Sequence, residues 1–264
     1  MTSRVSKPSP AYFATARPRV LAHRGLAVAS GVAENTAEAF AAALRAGATH
    51  IESDLRATAD GVAILHHDAT FRRARDGRRG RVSALTLAQL RDPAEGPVHR
   101  ILTLEEALTE FPEVPFNLDL KSADVVEPAV RMIRNMDART RILLTSFGES
   151  RRRAAVDALS PIASSLSLPR VLRLLAAHAL GLTGAFDRAI ASAQAVQMPY
   201  RVGPLHLVTP RLLTKLHARG IEAHVWPVNS VAEMRTVMAL GVDGVVTDRT
   251  DLTGPLAREP RSEY

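Results

Sequence analysis

Cysteine is absent from the 264 residues, which excludes disulfide staples, thiolate zinc sites, iron–sulfur clusters and cysteine nucleophiles. Aromatic side chains make up only 4%, with a single tryptophan, Trp226. The stacked aromatic platforms that hold single-stranded nucleic acids are therefore poorly supplied, and no nucleic-acid partner is expected. No run reaches the roughly 18–20 uninterrupted apolar residues of a membrane span; even Val171–Leu182 carries Arg173 and His178. The opening residues, basic and rich in Ser and Pro, lack the run of about 7–15 apolar residues of a secretory signal. A soluble, cytoplasmic protein is the expectation.

What is present is ordinary in bulk and unusual in charge. Hydrophobic residues are 46% and charged residues 23%, close to the roughly 45–50% and 25% of globular domains. The length fits one large domain, a barrel of roughly 250 residues included. Lys and Arg number 34 against 27 Asp and Glu, a net charge of +7, which points to anionic partners such as phosphate esters or membrane surfaces.

Apolar runs and helical periodicity alternate along the chain. Strands are expected at 19–23, 49–54, 116–120, 141–147, 164–168, 195–199, 221–226 and 244–247, each a short apolar run bounded by polar or turn residues. Helices are expected at 125–136, 149–158, 169–179, 210–218 and 231–240, where apolar residues fall on one face. A further helix running to Ala46 is expected to be capped by Asn35, with Glu38 in the capping-box position and Gly47 closing it. This alternation predicts an α/β protein with a TIM (β/α)₈ barrel, since the glycine fingerprint of an open dinucleotide-binding sheet is missing after the first strand. Residues 56–115 are too many for one crossover and predict a small insertion after strand two, with a short strand at 61–65 and helical segments at 86–91 and 102–111, the last begun by Thr103 and Glu106. The expected layout is an N-terminal tail over 1–18, the barrel over 19–252 and a C-terminal tail over 253–264.

Polar residues of unusual kind gather at the carboxyl ends of these strands. His23 ends the first, Glu52 and Asp54 the second, and Asn117, Asp119 and Lys121 alternate along the third. Residues at i and i+2 of a strand share a face, so in a barrel these groups converge on one mouth. Three carboxylates form a hard oxygen site suited to Mg²⁺ or Ca²⁺; the same acids could instead pair with Arg24, Arg56 or Lys121 as structural ion pairs. His66 and His67 follow the apolar run 62–65, and strand alternation lets only one face the mouth.

Taken in order, His23-Arg24-Gly25, Glu34-Asn35-Thr36, Glu52-x-Asp54, Asp60-Gly61, His67-Asp68 and Asn117-x-Asp119-x-Lys121 resemble the glycerophosphodiester phosphodiesterases. The segments 224–229 and 241–248 look like that family's closing strands, so the resemblance covers about residues 19–251. It implies hydrolysis of a glycerophosphodiester to glycerol 3-phosphate and an alcohol with one divalent cation, Mg²⁺ or Ca²⁺. By motif, His23 and His67 would be the acid–base pair, Glu52, Asp54 and Asp119 the metal ligands, and Arg24 and Lys121 the phosphate-facing cations. Asp119 stands where many relatives carry Glu. Trp226 is expected to wall the substrate pocket, Glu34 to hydrogen-bond behind the site, and Asn35 to serve the helix cap alone.

Soluble deacylated diesters are the expected substrates. Lysophospholipids are the alternative, for which an apolar groove or interfacial helix at the mouth would be the sign, and a silent phosphate-ester-binding barrel is the other. The arginine-rich segment 71–81 reads as a solvated loop with weak contact to an anionic membrane surface as its functional option.

Overall fold

A strand that is apolar on both faces has to be covered on both, and eight such strands here achieve this by curling around one another inside a layer of helices. The computed structural model describes residues 11–97 and 99–253. In chain order its strands are β1 (Arg19–His23), β2 (His50–Ala57), β3 (Ala63–Leu65), β4 (Thr70–Arg72), β5 (Arg79–Arg81), β6 (Phe116–Leu120), β7 (Ile142–Thr145), β8 (Ala163–Ser164), β9 (Ala195–Met198), β10 (Arg201–Val202), β11 (Leu205–His206), β12 (Glu222–Val225) and β13 (Gly244–Thr247). Eight of them run parallel in the order β8, β7, β6, β2, β1, β13, β12, β9. A parallel bridge between Ser165 and Ala195 joins the two ends, supported by Gln194 N donating to Ser164 O at 2.9 Å. The architecture is the expected TIM barrel.

Helix starts follow the side-chain chemistry closely. Thr86 and Thr103 each cap a helix with a reciprocal Gln89 or Glu106 bond, and Thr209 and Ser230 accept from the third residue of theirs. One cap differs from expectation. Thr36, not Asn35, accepts the Ala39 N–H at 3.2 Å and opens the helix Ala37–Arg45. Asn35 is freed for another task described below.

Three further differences have local causes. β8 is two residues long, because the chain leaves the sheet after Ser165 so that Ser167 and Pro169 can start the helix Leu168–Ala179. The helix Thr183–Ile190 is hidden from a periodicity reading by Gly181 and Gly184. The arginine-rich segment is no open loop over its length: β4 and β5 pair as an antiparallel hairpin with Phe71 buried against Gly80, while Arg72, Arg75, Arg78, Arg79 and Arg81 remain exposed.

The insertion after β2 has its own small core of Ile64, Phe71, Val82, Leu90 and Ile101, tied to the barrel by β3 pairing antiparallel with β2. At the opposite, N-terminal end of the barrel, Tyr12 is fully buried with Leu143, Ala163 and Ala195. Its ring stands edge-on to His50 at 4.7 Å. Arg19, also buried, donates to Phe13 O at 2.8 Å and to Glu222 at 2.9 Å, which pins this segment across the barrel floor. The part of the expected tail from Ala11 to Pro18 is thus packed structure at Tyr12, whereas 1–10 and 254–264 lie outside the described residues. Among the described residues, no helix is long and apolar enough to cross a membrane.

Candidate active site

Parallel strands deliver their carboxyl ends to one side, and register decides which side chains meet there. His23 pairs with Glu52 between β1 and β2. Glu52 pairs with Asn117, and Asp54 with Asp119, between β2 and β6. All of these, with Arg24, His67 and Lys121, line a pocket of about 270 Å³ at the C-terminal face. Every residue expected at the site, Trp226 included, lines this same pocket.

The anions are held apart by two cations. Lys121 Nζ lies 2.8 Å from Asp54 and 2.7 Å from Asp119. Arg24 Nε lies 2.9 Å from Asp54 Oδ2, an ion pair without hydrogen-bond alignment. Burial works to raise the Asp54 carboxyl, but Lys121 and Arg24 outweigh it and hold the group below its usual range. Burial and the Asp54 charge push Glu52 up to about 8. Burial likewise raises Asp119, against the pull of Lys121.

Both imidazoles are backed by a carboxylate. His23 Nδ1 lies 2.7 Å from Asp248 Oδ1, and because an ionised carboxylate only accepts, Nδ1 carries the proton and Nε2 is left toward the pocket, 3.9 Å from Glu52. Burial opposes protonation of His23, yet the Asp248 bond and the Glu52 charge prevail and its pKa is raised. Asn229 fixes Asp248 in turn, donating to Oδ2 at 2.6 Å and accepting the Asp248 N–H at 2.9 Å. His67 Nδ1 faces Asp68 at 2.7 Å, and Arg56 Nε donates to His67 O at 2.8 Å. His66 turns the other way, toward Thr70 O at 3.4 Å.

The loop after β1 is shaped to fit beneath these groups. Arg24 and Gly25 both adopt left-handed backbone, at φ 56° and 86°. A Cβ on Gly25 would stand 2.7 Å from Ala39, so only glycine lets the loop lie on the helix Ala37–Arg45. Glu34, expected to hydrogen-bond behind the site, accepts two bonds from Arg24 at 3.1 and 3.2 Å and so aims the guanidinium. Asn35, at φ 57°, accepts from the buried Ser53 hydroxyl at 2.7 Å. Its place is behind β2, between Glu52 and Asp54.

Three features were not read from the sequence. Asp248 lies far from His23 in the chain and follows an unremarkable apolar strand; the resemblance took in 241–248 without giving Asp248 a role. Asn117 donates to Gln197 at 3.4 Å, Gln197 to His224 Nδ1 at 3.3 Å, and His224 Nε2 reaches Glu222 at 3.1 Å. This chain of polar groups crosses the barrel interior and leaves Asn117 Oδ1 buried without a partner at the pocket. The third feature is the apolar wall opposite the charges, where Phe147, Leu166, Leu168, Val171 and Met198 join Trp226. The Phe147 ring stands 6.1 Å from Trp226 and 5.7 Å from Lys121 Nζ, at the border between the two halves.

A (β/α)₈ barrel with two carboxylate-backed imidazoles, clustered carboxylates and two cations at its mouth fits a phosphoric diester hydrolase. The chain belongs to the Glycerophosphoryl diester phosphodiesterase family, whose profile matches residues 23–252. It is 37% identical over 233 residues to "Probable glycerophosphodiester phosphodiesterase 2" of Mycobacterium tuberculosis, covering 88% of each chain. It is 27% identical over 269 residues to a lysophospholipase D of Rattus norvegicus, covering 87% of this chain and 83% of that protein. Its fold matches the crystal structure of a glycerophosphodiester phosphodiesterase from Thermotoga maritima with a TM-score of 0.71 and 23% identity, over 90% of this chain and 97% of that one.

Proposed function

We propose that this chain hydrolyses glycerophosphodiesters to sn-glycerol 3-phosphate and an alcohol, using His23 and His67 as the proton-transfer pair and one divalent cation, Mg²⁺ or Ca²⁺, held by Glu52, Asp54 and Asp119. The observation that carries the reading is the meeting, in one pocket, of two carboxylate-backed imidazoles with cations placed for a phosphate. A binder of phosphate esters needs the cations and has little use for the imidazole pair.

The cation is tested against the donor set. Among the described residues no three His, Asp or Glu side chains already stand at metal-binding spacing, and Lys121 bridges Asp54 and Asp119. Yet Glu52 Oε2, Asp54 Oδ2 and Asp119 Oδ1 are each buried without a hydrogen-bond partner, which is costly for anionic oxygens. Three hard oxygens without a hydrogen bond, of which Asp54 Oδ2 meets Arg24 Nε only as an ion pair, fit Mg²⁺ or Ca²⁺ better than a softer metal. Bound there, such an ion supplies neutralisation of charge developing on a phosphoryl oxygen.

The protein groups do the rest. Arg24 presents a planar fork for two phosphate oxygens, and Lys121 a point charge. One imidazole takes the proton of the glycerol 2-hydroxyl as that oxygen bonds to phosphorus, while the other protonates the departing alcohol. The resulting cyclic phosphate is opened by water with the two imidazoles in exchanged roles. Asp248 and Asp68 hold each ring with Nδ1 protonated, so that Nε2 is the atom that exchanges protons.

The test is release of glycerol 3-phosphate from glycerophosphocholine by metal-stripped protein, with Mg²⁺ or Ca²⁺ returned. Turnover restored by either ion is expected, together with a rise in melting temperature, since an ion at about a hundredfold its Kd adds about 2.7 kcal/mol. Absence of both turnover and thermal shift with either ion would overturn the proposal.

A further inference from the structure

Two hairpins leave opposite sides of the barrel mouth. The first, β4 with β5, begins at Thr70, directly after His67, Asp68 and Ala69, and belongs to the insertion that β3 ties to β2. The second, β10 with β11, begins at Arg201, just past Met198 and Pro199 of the pocket. β2 and β9, from whose carboxyl ends they depart, stand four places apart in either direction around the barrel.

The first hairpin presents charge. Phe71 lies against Gly80, where a Cβ would stand 2.6 Å from its ring, so the inner face is fixed on the core of the insertion. Alternation then turns Arg72, Arg79 and Arg81 outward together, with Arg72 paired directly opposite Arg79. Like charges so placed destabilise an antiparallel pair. Arg75 and Arg78 add to them in the turn, exposed beside the one carboxylate of the segment, Asp76. Among the described residues, Arg73 alone of these arginines is in an ion pair, with Glu95 at 3.3 Å. A cationic face that strains its own hairpin and meets so little acid from the rest of the chain is complementary to an anionic surface.

The second hairpin is tipped with apolar groups instead. Val202 and Leu205 sit opposite each other across the strands, 59% and 63% exposed, with Gly203 and Pro204 between them. Its base is held: Leu207 N donates to Tyr200 O at 2.9 Å, and the Tyr200 ring stands edge-on to His206 at 4.9 Å. Arg201 is exposed just behind the tip. Apolar groups for the acyl boundary and cations for the headgroups are the two components of interfacial attachment. A nucleic acid would use the arginines alone and leave Val202 and Leu205 in water.

We propose that the mouth face docks on an anionic phospholipid bilayer, with the β4–β5 arginines on the headgroup phosphates and the tip of the β10–β11 hairpin inserted among them. Either contact alone is weak; the two together, placed across the mouth, hold the pocket toward the lipid surface. The docking fixes where the molecule sits and is independent of which diester it cleaves.

Sedimentation with vesicles tests it, using phosphatidylcholine alone and phosphatidylcholine with about 30% phosphatidylglycerol in about 0.1 M salt. Expected is binding to the anionic vesicles that weakens as salt is raised, and binding at least about tenfold weaker to the neutral ones. Two variants separate the contacts: Arg75→Gln with Arg78→Gln and Arg79→Gln, and Val202→Ser with Leu205→Ser. Each is expected to lower the affinity for anionic vesicles at least about tenfold. Turnover of glycerophosphocholine in solution is expected to stay at the wild-type level, because every altered position is exposed and outside the pocket. No binding to anionic vesicles, or binding that either variant leaves unchanged, would overturn the docking. Double-stranded DNA bound more tightly than vesicles, through the arginines and not the apolar tip, would overturn it by assigning the hairpin to nucleic acid. A concentration-dependent dimer dissolved by Val202→Ser with Leu205→Ser would do so by assigning the tip to a second copy of the chain.

Discussion

His23→Ala is expected to lower turnover of glycerophosphodiesters at least about 10²-fold, the scale of a positioned acid–base group, without unfolding the protein. The ring lines a pocket open to solvent and is itself partly exposed, so its loss opens no cavity in the core. Asp248 keeps both its bonds with Asn229, one accepted and one donated, so the loop after β13 retains its anchor. Asp248→Asn provides the graded companion: the ring keeps its place while losing the charge that raises its pKa, so turnover falls less and the pH profile shifts to lower pH. Asp54→Asn should match His23→Ala, because Asp54 meets both Arg24 and Lys121. Steady-state kinetics with circular dichroism on each variant decide the matter, and wild-type turnover in His23→Ala or Asp54→Asn would remove that residue from the machinery.

Glu149→Gln is expected to destabilise the fold by about 3 kcal/mol, the lower end of the range for leaving a buried charge without its partner. The Arg152 side chain is 2% exposed and is gripped by both Glu149 oxygens at 2.8 Å. Its remaining bond is to Ser164 at 3.0 Å on β8. Glu149 also accepts from the Ser167 hydroxyl at 2.7 Å, joining two helices and the shortest barrel strand through one carboxylate. Glutamine keeps the shape but strands the guanidinium; the lower end of the range applies because Glu149 is itself partly exposed, at 31%. Urea or thermal unfolding measures the change. Burial tends to raise the Glu149 carboxyl, but Arg152, Ser167 and Arg170 pull it down from 4.5 to about 2. A folded-state pKa below the unfolded one adds stability that is complete above about pH 4.5 and is lost as pH falls toward 2. The wild type should therefore lose stability more steeply than Glu149→Gln over that interval.

The sequence made the barrel legible because each strand is a short apolar run between turns, a pattern that depends on neither the other strands nor their order. The site was legible where its residues share a strand or a motif: Glu52 with Asp54, Asp119 with Lys121, His67 with Asp68. Groups joined only by strand order were not. Asp248 meets His23 because β13 closes next to β1, and nothing local to either residue announces the pair. Asn35 looked like a cap because Asn often is one, and the adjacent Thr36 took that role, leaving Asn35 to brace Ser53. The apolar wall of the pocket escaped notice for a related reason. Its side chains follow three different strands, and it exists only once β7, β8 and β9 have been brought side by side.

Tyr12 and the segment around it stopper the barrel at the end away from the charged cluster, held there by Arg19. Among the described residues the charged pocket thus opens at the other face of the barrel, which serves as inlet and outlet together. On the proposed function, a departing phosphate ester held by Arg24 and Lys121 would block that doorway until it left, making the product and the next substrate mutually exclusive occupants. Accumulating glycerol 3-phosphate would then slow the enzyme as a competitor for the free protein, coupling its pace to how quickly the surroundings carry that product away.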